Sequence, residues 1–176
     1  MRLYLPGNLN EKMTISLTGF MGCGKSSTGR LLAGRLGARF TDLDAEIVAR
    51  DGRPIPEIFR EGGESAFRAV ELETLRAVLD AADAAGEKLV LALGGGTLTL
   101  PEARALVLSR TRCVWLRTRL ETIRERISAS DASRPLFRDA EALYAAREPI
   151  YAQAHLAVDT DGKTPAEVAG EIVALF

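Results

Sequence analysis

Gly19-Phe20-Met21-Gly22-Cys23-Gly24-Lys25-Ser26 follows the apolar run 13–18 and leads directly into the helical pattern 24–36. These eight residues match G-x-x-x-x-G-K-[ST], a strand-loop-helix device for holding phosphate. The glycines let the backbone curl until successive N–H groups point inward, and the following helix adds the positive end of its dipole. The result is an anion cradle of a size suited to a triphosphate. Gly22, Cys23, Gly24, Lys25, Ser26 and Ser27 are therefore expected to contact ATP. The Lys25 ammonium would reach the β- and γ-phosphates as a point charge, and the Ser26 hydroxyl would ligate Mg²⁺. Cys23 shares the helix N-terminus, where a thiol can gain thiolate character. With no partner cysteine or histidine evident, it reads instead as a small residue that fits.

Outward from this loop, short apolar runs at 38–42, 88–93, 112–116 and 155–158 are bounded by polar or glycine residues and read, with 13–18, as five strands. Helical patterns occupy 24–36, 64–85, 101–108, 120–128, 141–154 and 165–175. Phe67, Val70, Leu75, Val78 and Leu79 mark one side of the second, and Pro101 and Pro165 suit first helical positions. Strand and helix alternate, and the strands are nearly continuous in Val, Leu and Ile. That pattern specifies an α/β fold: a five-stranded parallel sheet with helices on both faces. In such sheets ligands bind beyond the carboxyl ends of the strands, so the chemistry is expected in the segments just after each apolar run.

The 176 residues fit one domain, read as a single unit over 13–176 behind a short extension over 1–12. A hydrophobic fraction of 47% against 27% charged is globular and argues against a disordered or disulfide-scaffold chain. The net charge of −1 removes the electrostatic case for general nucleic-acid binding. Cys23 and Cys113, with no CxxC and His155 the single histidine, exclude a Cys/His zinc cluster. No apolar run reaches the roughly 18 residues that span a bilayer, and the first residues lack a signal-peptide core, so a cytoplasmic protein without membrane attachment is expected.

Three further features lie at strand ends. Asp42 and Asp44 close the second apolar run, their i, i+2 spacing placing both on one face of a strand end. One carboxylate could hold Mg²⁺ and the other could accept a hydrogen bond from a substrate hydroxyl. Equally, they could cap a helix near Ala45. Gly94-Gly95-Gly96 ends the buried run Leu89-Val90-Leu91-Ala92-Leu93, either as a flexible turn or as backbone that a ligand approaches closely. The acid that usually follows this strand in phosphate-loop proteins is missing, which leaves Asp42 and Asp44 as substitutes. Of the 23 basic residues 19 are arginines, so position must select among them. Arg68 at a helix start could recognise substrate or pair with Glu64 four residues away. Arg134 before Pro135 and Arg147 before Glu148-Pro149 could be functional or solvated charge. The polar segment 128–137 could close as a lid over the triphosphate, bringing Arg134 onto it, or be a mobile connector.

Taken together, residues 19–27, Phe40-Thr41-Asp42-Leu43-Asp44, Ile55-Pro56-Glu57-Ile58-Phe59, Gly63-Glu64, Phe67-Arg68 with Glu71, 93–96, Arg134-Pro135-Leu136, and Arg147 before Pro149 and Tyr151 form an ordered set that resembles the shikimate kinase family from Met13 onward. The resemblance implies a nucleoside-monophosphate-kinase-like three-layer sandwich that uses ATP to phosphorylate the 3-hydroxyl of shikimate, on the route to aromatic amino acids. It implies substrate-binding helices over about 45–80 and a lid over about 128–138. By position, Lys25, Asp44 and Arg134 would be catalytic, with Asp44 on the reacting hydroxyl and Arg134 at the phosphates. Arg68 and Arg147 would clamp the substrate carboxylate beside the Gly94-Gly95-Gly96 backbone. Ser26 and Asp42 would serve Mg²⁺, and Arg126 and Lys163-Thr164-Pro165 the adenine. ATP and shikimate are the expected partners of a monomer. Two rivals remain at this point: another small-molecule phosphate-loop kinase with a sugar-acid acceptor, and a nucleotide-binding regulatory module without turnover.

Overall fold

The computed structural model describes residues 13–130 and 139–176, with no side-chain detail at 127–130. Five strands, β1 (Thr14–Thr18), β2 (Arg39–Asp42), β3 (Leu89–Ala92), β4 (Arg112–Arg117) and β5 (Leu156–Asp159), form one sheet in the order β2-β3-β1-β4-β5. All four pairings are parallel, with Leu17 opposite both Ala92 and Val114, and Thr41 opposite Leu91.

Side chains alternate across the sheet with the two-residue period of a strand. Leu89 and Leu91 enter one core with Leu43, Ile47, Leu75 and Val107. Val90, between them, joins Ile15, Leu17, Leu32, Val114 and Ile172 in the other. The first core lies under α2 (Leu43–Asp51), α3 (Ile55–Ala85) and α4 (Pro101–Arg110), and the second under α1 (Lys25–Leu36) and α7 (Pro165–Ala174). That is the three-layer α/β sandwich expected. A smaller cluster of Phe20, Trp115, Ile123 and Tyr151 gathers residues of the phosphate loop, β4, α5 (Leu120–Ser130) and α6 (Ala140–Tyr151).

The chain leaves β1 toward β2 on one side and leaves β3 toward β4 on the other, so the connections diverge between neighbouring strands. This is the switch point where a parallel sheet opens a crevice at its carboxyl edge. The phosphate loop leaves β1 there and the three glycines leave β3.

Several boundaries depart from the sequence reading. The helix expected to begin at Glu64 does begin there, after the non-helical Gly63, but the helical stretch from Ile55 that precedes this break in α3 was not expected. Gly63 adopts φ 70° and ψ −171°, and helix continues on both sides. A side chain disfavours that left-handed φ, so glycine permits the break. Helix α2, absent from the periodicity reading, starts immediately after β2. A short 3₁₀ turn, Thr97–Thr99, follows the glycines, α5 runs to Ser130 rather than Ser128, and α6 stops at Tyr151 rather than Ala154. The segment 1–12 and most of the expected lid, with Arg134, lie outside the described residues.

At the amino edge of the sheet, opposite the crevice, the Cys113 N–H donates to His155 Nδ1 at 3.0 Å. The imidazole must be neutral to accept. Burial, and then Arg112, depress its pKa below the ordinary 6.5, against a smaller opposing effect of the Leu108 backbone. A histidine depressed in the folded state contributes stability above its unfolded pKa and loses it as pH falls through the folded value. Thermal melts from about pH 8 to about pH 5 should therefore show a steeper loss of Tm for the native chain than for His155→Gln, which keeps an acceptor that does not titrate. Parallel curves would remove His155 from the pH dependence.

Candidate active site

The phosphate loop is held by close backbone packing. A Cβ at Gly19, where φ is 143°, would lie 2.8 Å from the Leu116 carbonyl oxygen, a contact that backbone cannot relieve. Gly22 and Gly24 also adopt positive φ, 77° and 97°. Gly24 then serves as the cap of α1 without a side-chain hydrogen bond, so the first N–H groups of that helix face the loop's interior. Lys25 lies back across the loop, its Nζ donating to the carbonyls of Gly19 at 2.9 Å and Phe20 at 3.0 Å. Cys23 is buried beneath, 3.8 Å from that ammonium.

The alternatives for Asp42 are both realised. Its Oδ1 caps α2, accepting the N–H groups of Asp44 at 3.1 Å and Ala45 at 3.4 Å. Its Oδ2 accepts from Ser26 Oγ at 2.5 Å. The two acids do not share a strand face, however. The chain turns into helix after Asp42, so Asp44 is in the first turn of α2 and reaches the crevice from there. Lys25, Ser26, Asp42, Asp44, Gly95 and Arg126 nonetheless line one cleft of about 520 Å³. Its oxygen donors, Ser26 and Asp42, are hard ligands already in contact, the chemistry Mg²⁺ prefers.

Beside this cleft a hollow of about 300 Å³ is lined by Gly22, Thr28, Arg126, Thr160, Lys163 and Pro165. The Arg126 guanidinium bridges its two walls, donating to the Thr160 carbonyl at 3.1 Å and the Cys23 carbonyl at 3.5 Å. A flat guanidinium in such a hollow offers a stacking face for a heteroaromatic ring.

The glycine run is where charge approaches backbone. A Cβ at Gly94 would come within 2.9 Å of Asp44 Oδ1, one at Gly95 within 3.6 Å of Arg147 Nη1, and one at Gly96 within 2.5 Å of Arg68 Nη2. At Gly94 and Gly96 the missing side chain thus leaves room for Asp44 and Arg68, while at Gly95 the Arg147 guanidinium lies at ordinary contact distance. Arg68 does meet Glu64, at 3.3 Å, but its stronger partner is Glu71, whose carboxylate accepts from Nη1 at 2.6 Å. Arg147 lies over the Phe20 ring of the phosphate loop, 5.8 Å from its centroid.

Glu71 was visible in the sequence only as part of a family pattern. It is 1% exposed and its other oxygen accepts from Thr97 Oγ1 at 2.6 Å. Its i+3 relation to Arg68, within the helix expected over 64–85, was the signal that could have marked it. The crowd of acids has an electrostatic consequence. Burial foremost, then the charges of Asp42 and Glu71, raise the Asp44 pKa, while Lys25 and Arg68 pull it down less strongly.

Comparison with known proteins gives a consistent result. The family model described as shikimate kinase matches residues 21–176. A shikimate kinase of Thermus thermophilus is 44% identical over 165 residues, covering 90% of this chain and 87% of its own. One from Persephonella marina is 40% identical, covering 90% of this chain and 96% of its own. Among solved structures, shikimate kinase from Acinetobacter baumannii in complex with shikimate superposes with a TM-score of 0.83 at 34% identity, covering 93% of this chain and 92% of that one.

The Asp44 environment has a measurable effect on stability. Its folded pKa is raised above the ordinary carboxylate value, so it favours the folded state while protonated, and that contribution is lost as pH rises through the folded pKa. Asp44→Asn should accordingly melt above the native chain near pH 8, with the gap closing toward about pH 4. Differential scanning calorimetry across that range checks it. A lower Tm for the variant at the alkaline end would contradict the net destabilisation of this charge.

Proposed function

The chain belongs to the shikimate kinase family, and from that premise we propose that it transfers the γ-phosphoryl group of ATP to the 3-hydroxyl of shikimate, yielding shikimate 3-phosphate and ADP for aromatic amino-acid biosynthesis. The observation that carries this reading is the placing of a phosphate cradle and an acid on one cleft, Lys25 and Ser26 on one wall and Asp44 on another. Arg68 and Arg147 flank the glycine backbone next to it.

In this reading the triphosphate lies along the amides of Gly22, Cys23, Gly24, Ser26 and Ser27, with its base in the hollow beside Arg126 and Pro165. Lys25 exchanges the Gly19 and Phe20 carbonyls for phosphate oxygens, a substitution that keeps the ammonium solvated by oxygen throughout. Ser26 and Asp42 would hold Mg²⁺, which when bound neutralises charge on the phosphates. Arg68 and Arg147 grip the acceptor's carboxylate, which a planar fork of donors does better than an ammonium can. Asp44 accepts the hydrogen bond of the reacting hydroxyl, orients its lone pair toward phosphorus and receives its proton as the O–P bond forms. Its raised pKa suits that last role. Arg134 supplies further positive charge at the phosphates. Because phosphoryl transfer passes through a loose transition state, positioning and charge stabilisation are the main catalytic demands. All these groups come from one chain, which supports a monomeric enzyme.

A coupled ADP-release assay with ATP and Mg²⁺, comparing shikimate with gluconate as a sugar-acid acceptor, tests the reading. Turnover should be confined to shikimate, and turnover of gluconate alone would overturn it. Asp44→Asn should lower kcat by roughly 10²- to 10⁴-fold, the range for a general base. Nucleotide affinity, measured by calorimetry, should stay nearly constant. Full activity in this variant would exclude Asp44 from proton transfer.

A further inference from the structure

Tyr151 ends α6 with its side chain 1% exposed, and no role has been given to it so far. Its hydroxyl donates to the Gly95 carbonyl at 2.5 Å, joining the end of that helix to the glycine run 56 residues away in sequence. Four residues earlier on the same helix, the Arg147 guanidinium reaches the same glycine, its Nη1 3.6 Å from where a Gly95 Cβ would lie, and its charge bears on the phenol. Phenol and guanidinium therefore meet at Gly95, at the acceptor end of the cleft. Burial pushes its pKa up to about 12, so it is a protonated donor at neutral pH. The ring cannot swing away, since Trp115 lies 6.2 Å from it centroid to centroid and Phe20 and Ile123 complete the cluster.

Two consequences follow from this geometry. Fixing the Gly95 carbonyl toward Tyr151 fixes the plane of the Gly95–Gly96 peptide, because C=O and the next N–H point opposite ways in a trans amide. Arg147, meanwhile, lies between the Phe20 ring and the Gly95 backbone that the phenol holds, which limits the rotamers that a long side chain would otherwise lose on binding. A preorganised guanidinium binds a carboxylate more tightly than a mobile one.

We propose that Tyr151 is a positioning residue for acid recognition: its phenol holds the Gly95 carbonyl, and with it the glycine backbone on which the Arg147 guanidinium packs, in the register that receives the acceptor's carboxylate. The proposal rests on the reading of the acceptor as a carboxylate-bearing alcohol. It differs from a packing role in one respect. Removing the hydroxyl should weaken recognition of the carboxylate and leave the nucleotide half of the site unchanged.

The test is calorimetric binding of shikimate and of its neutral carboxamide, with Tm and ATP affinity measured on the same samples. The native chain should prefer shikimate, and Tyr151→Phe should weaken shikimate binding roughly tenfold, near the upper end for loss of one neutral hydrogen bond. Carboxamide and ATP affinities should hold within about twofold, and in an Arg147→Ala background Tyr151→Phe should add less than about twofold, because the two residues act as a unit. KM for shikimate should rise with kcat largely kept. Tyr151→His, prepared alongside, should lose the preference in the same direction and serves if the phenylalanine variant does not fold. Equal weakening toward acid and amide, or full additivity with Arg147→Ala, would overturn the positioning role. A native chain that shows no preference for the acid would overturn the functional reading together with the proposal, whereas a native preference kept intact by Tyr151→Phe would overturn the proposal alone.

Discussion

The contact between Ser26 Oγ and Asp42 Oδ2, 2.5 Å long, joins the first turn of α1 to the cap of α2 through a single carboxylate. One oxygen of Asp42 fixes where the phosphate helix begins, and the other fixes where the acceptor-side helix begins. Asp44 follows two residues later, so its distance from the phosphate loop is set by a helix cap rather than by a flexible side chain. In the proposed reading Asp42, at the end of β2, takes the place of an acid after β3, and the carboxyl end of β3 is left to residues without side chains.

Legibility in the sequence followed the range of the interactions. The phosphate loop is a local motif, and its role as a cradle between β1 and α1 needed no distant partner to be recognised. The strands were equally plain, because burial on both faces makes them continuous apolar runs. What failed was punctuation. Gly62-Gly63 reads as a break and Gly63 is one, but the helical stretch from Ile55 before it carries no comparable mark. The Asp42-Leu43-Asp44 run reads as a strand end, but the helix cap turns it, since the cap's geometry is paid out over only three residues. Glu71 and Tyr151 were visible only as letters in a pattern. Their importance lies in contacts with Thr97 and Gly95, 26 and 56 residues distant, which no periodicity encodes.

Burying Glu71 carries a desolvation cost that only good partners offset. It has two at 2.6 Å, the Arg68 guanidinium and the Thr97 hydroxyl, which leaves its oxygens satisfied and Arg68 in a fixed orientation. Its charge acts on Asp44 in the opposite sense to that of Arg68, so the pair that holds the arginine also offsets part of the arginine's pull on Asp44. Without Glu71, burial and Asp42 alone would oppose Lys25 and Arg68 in setting the Asp44 pKa. In the proposed reading, where Arg68 recognises a carboxylate beside a general base, this second carboxylate keeps the base effective.

The same economy governs the glycine run. Any acceptor bearing both an acid and a hydroxyl must meet cations and an anion within the width of one small ring, and like charges on neighbouring side chains would repel before substrate arrived. Here the charged groups come from three separate helices, α2, α3 and α6, and converge on backbone that offers no bulk of its own. A methyl group at Gly96 would occupy the space of the Arg68 guanidinium, and one at Gly94 that of the Asp44 carboxylate. The bare backbone at Gly94 and Gly96 thus admits groups from two different helices to the end of β3. The specificity of such a site lies in the spacing between charges that the sheet edge holds apart, more than in the strength of any one of them.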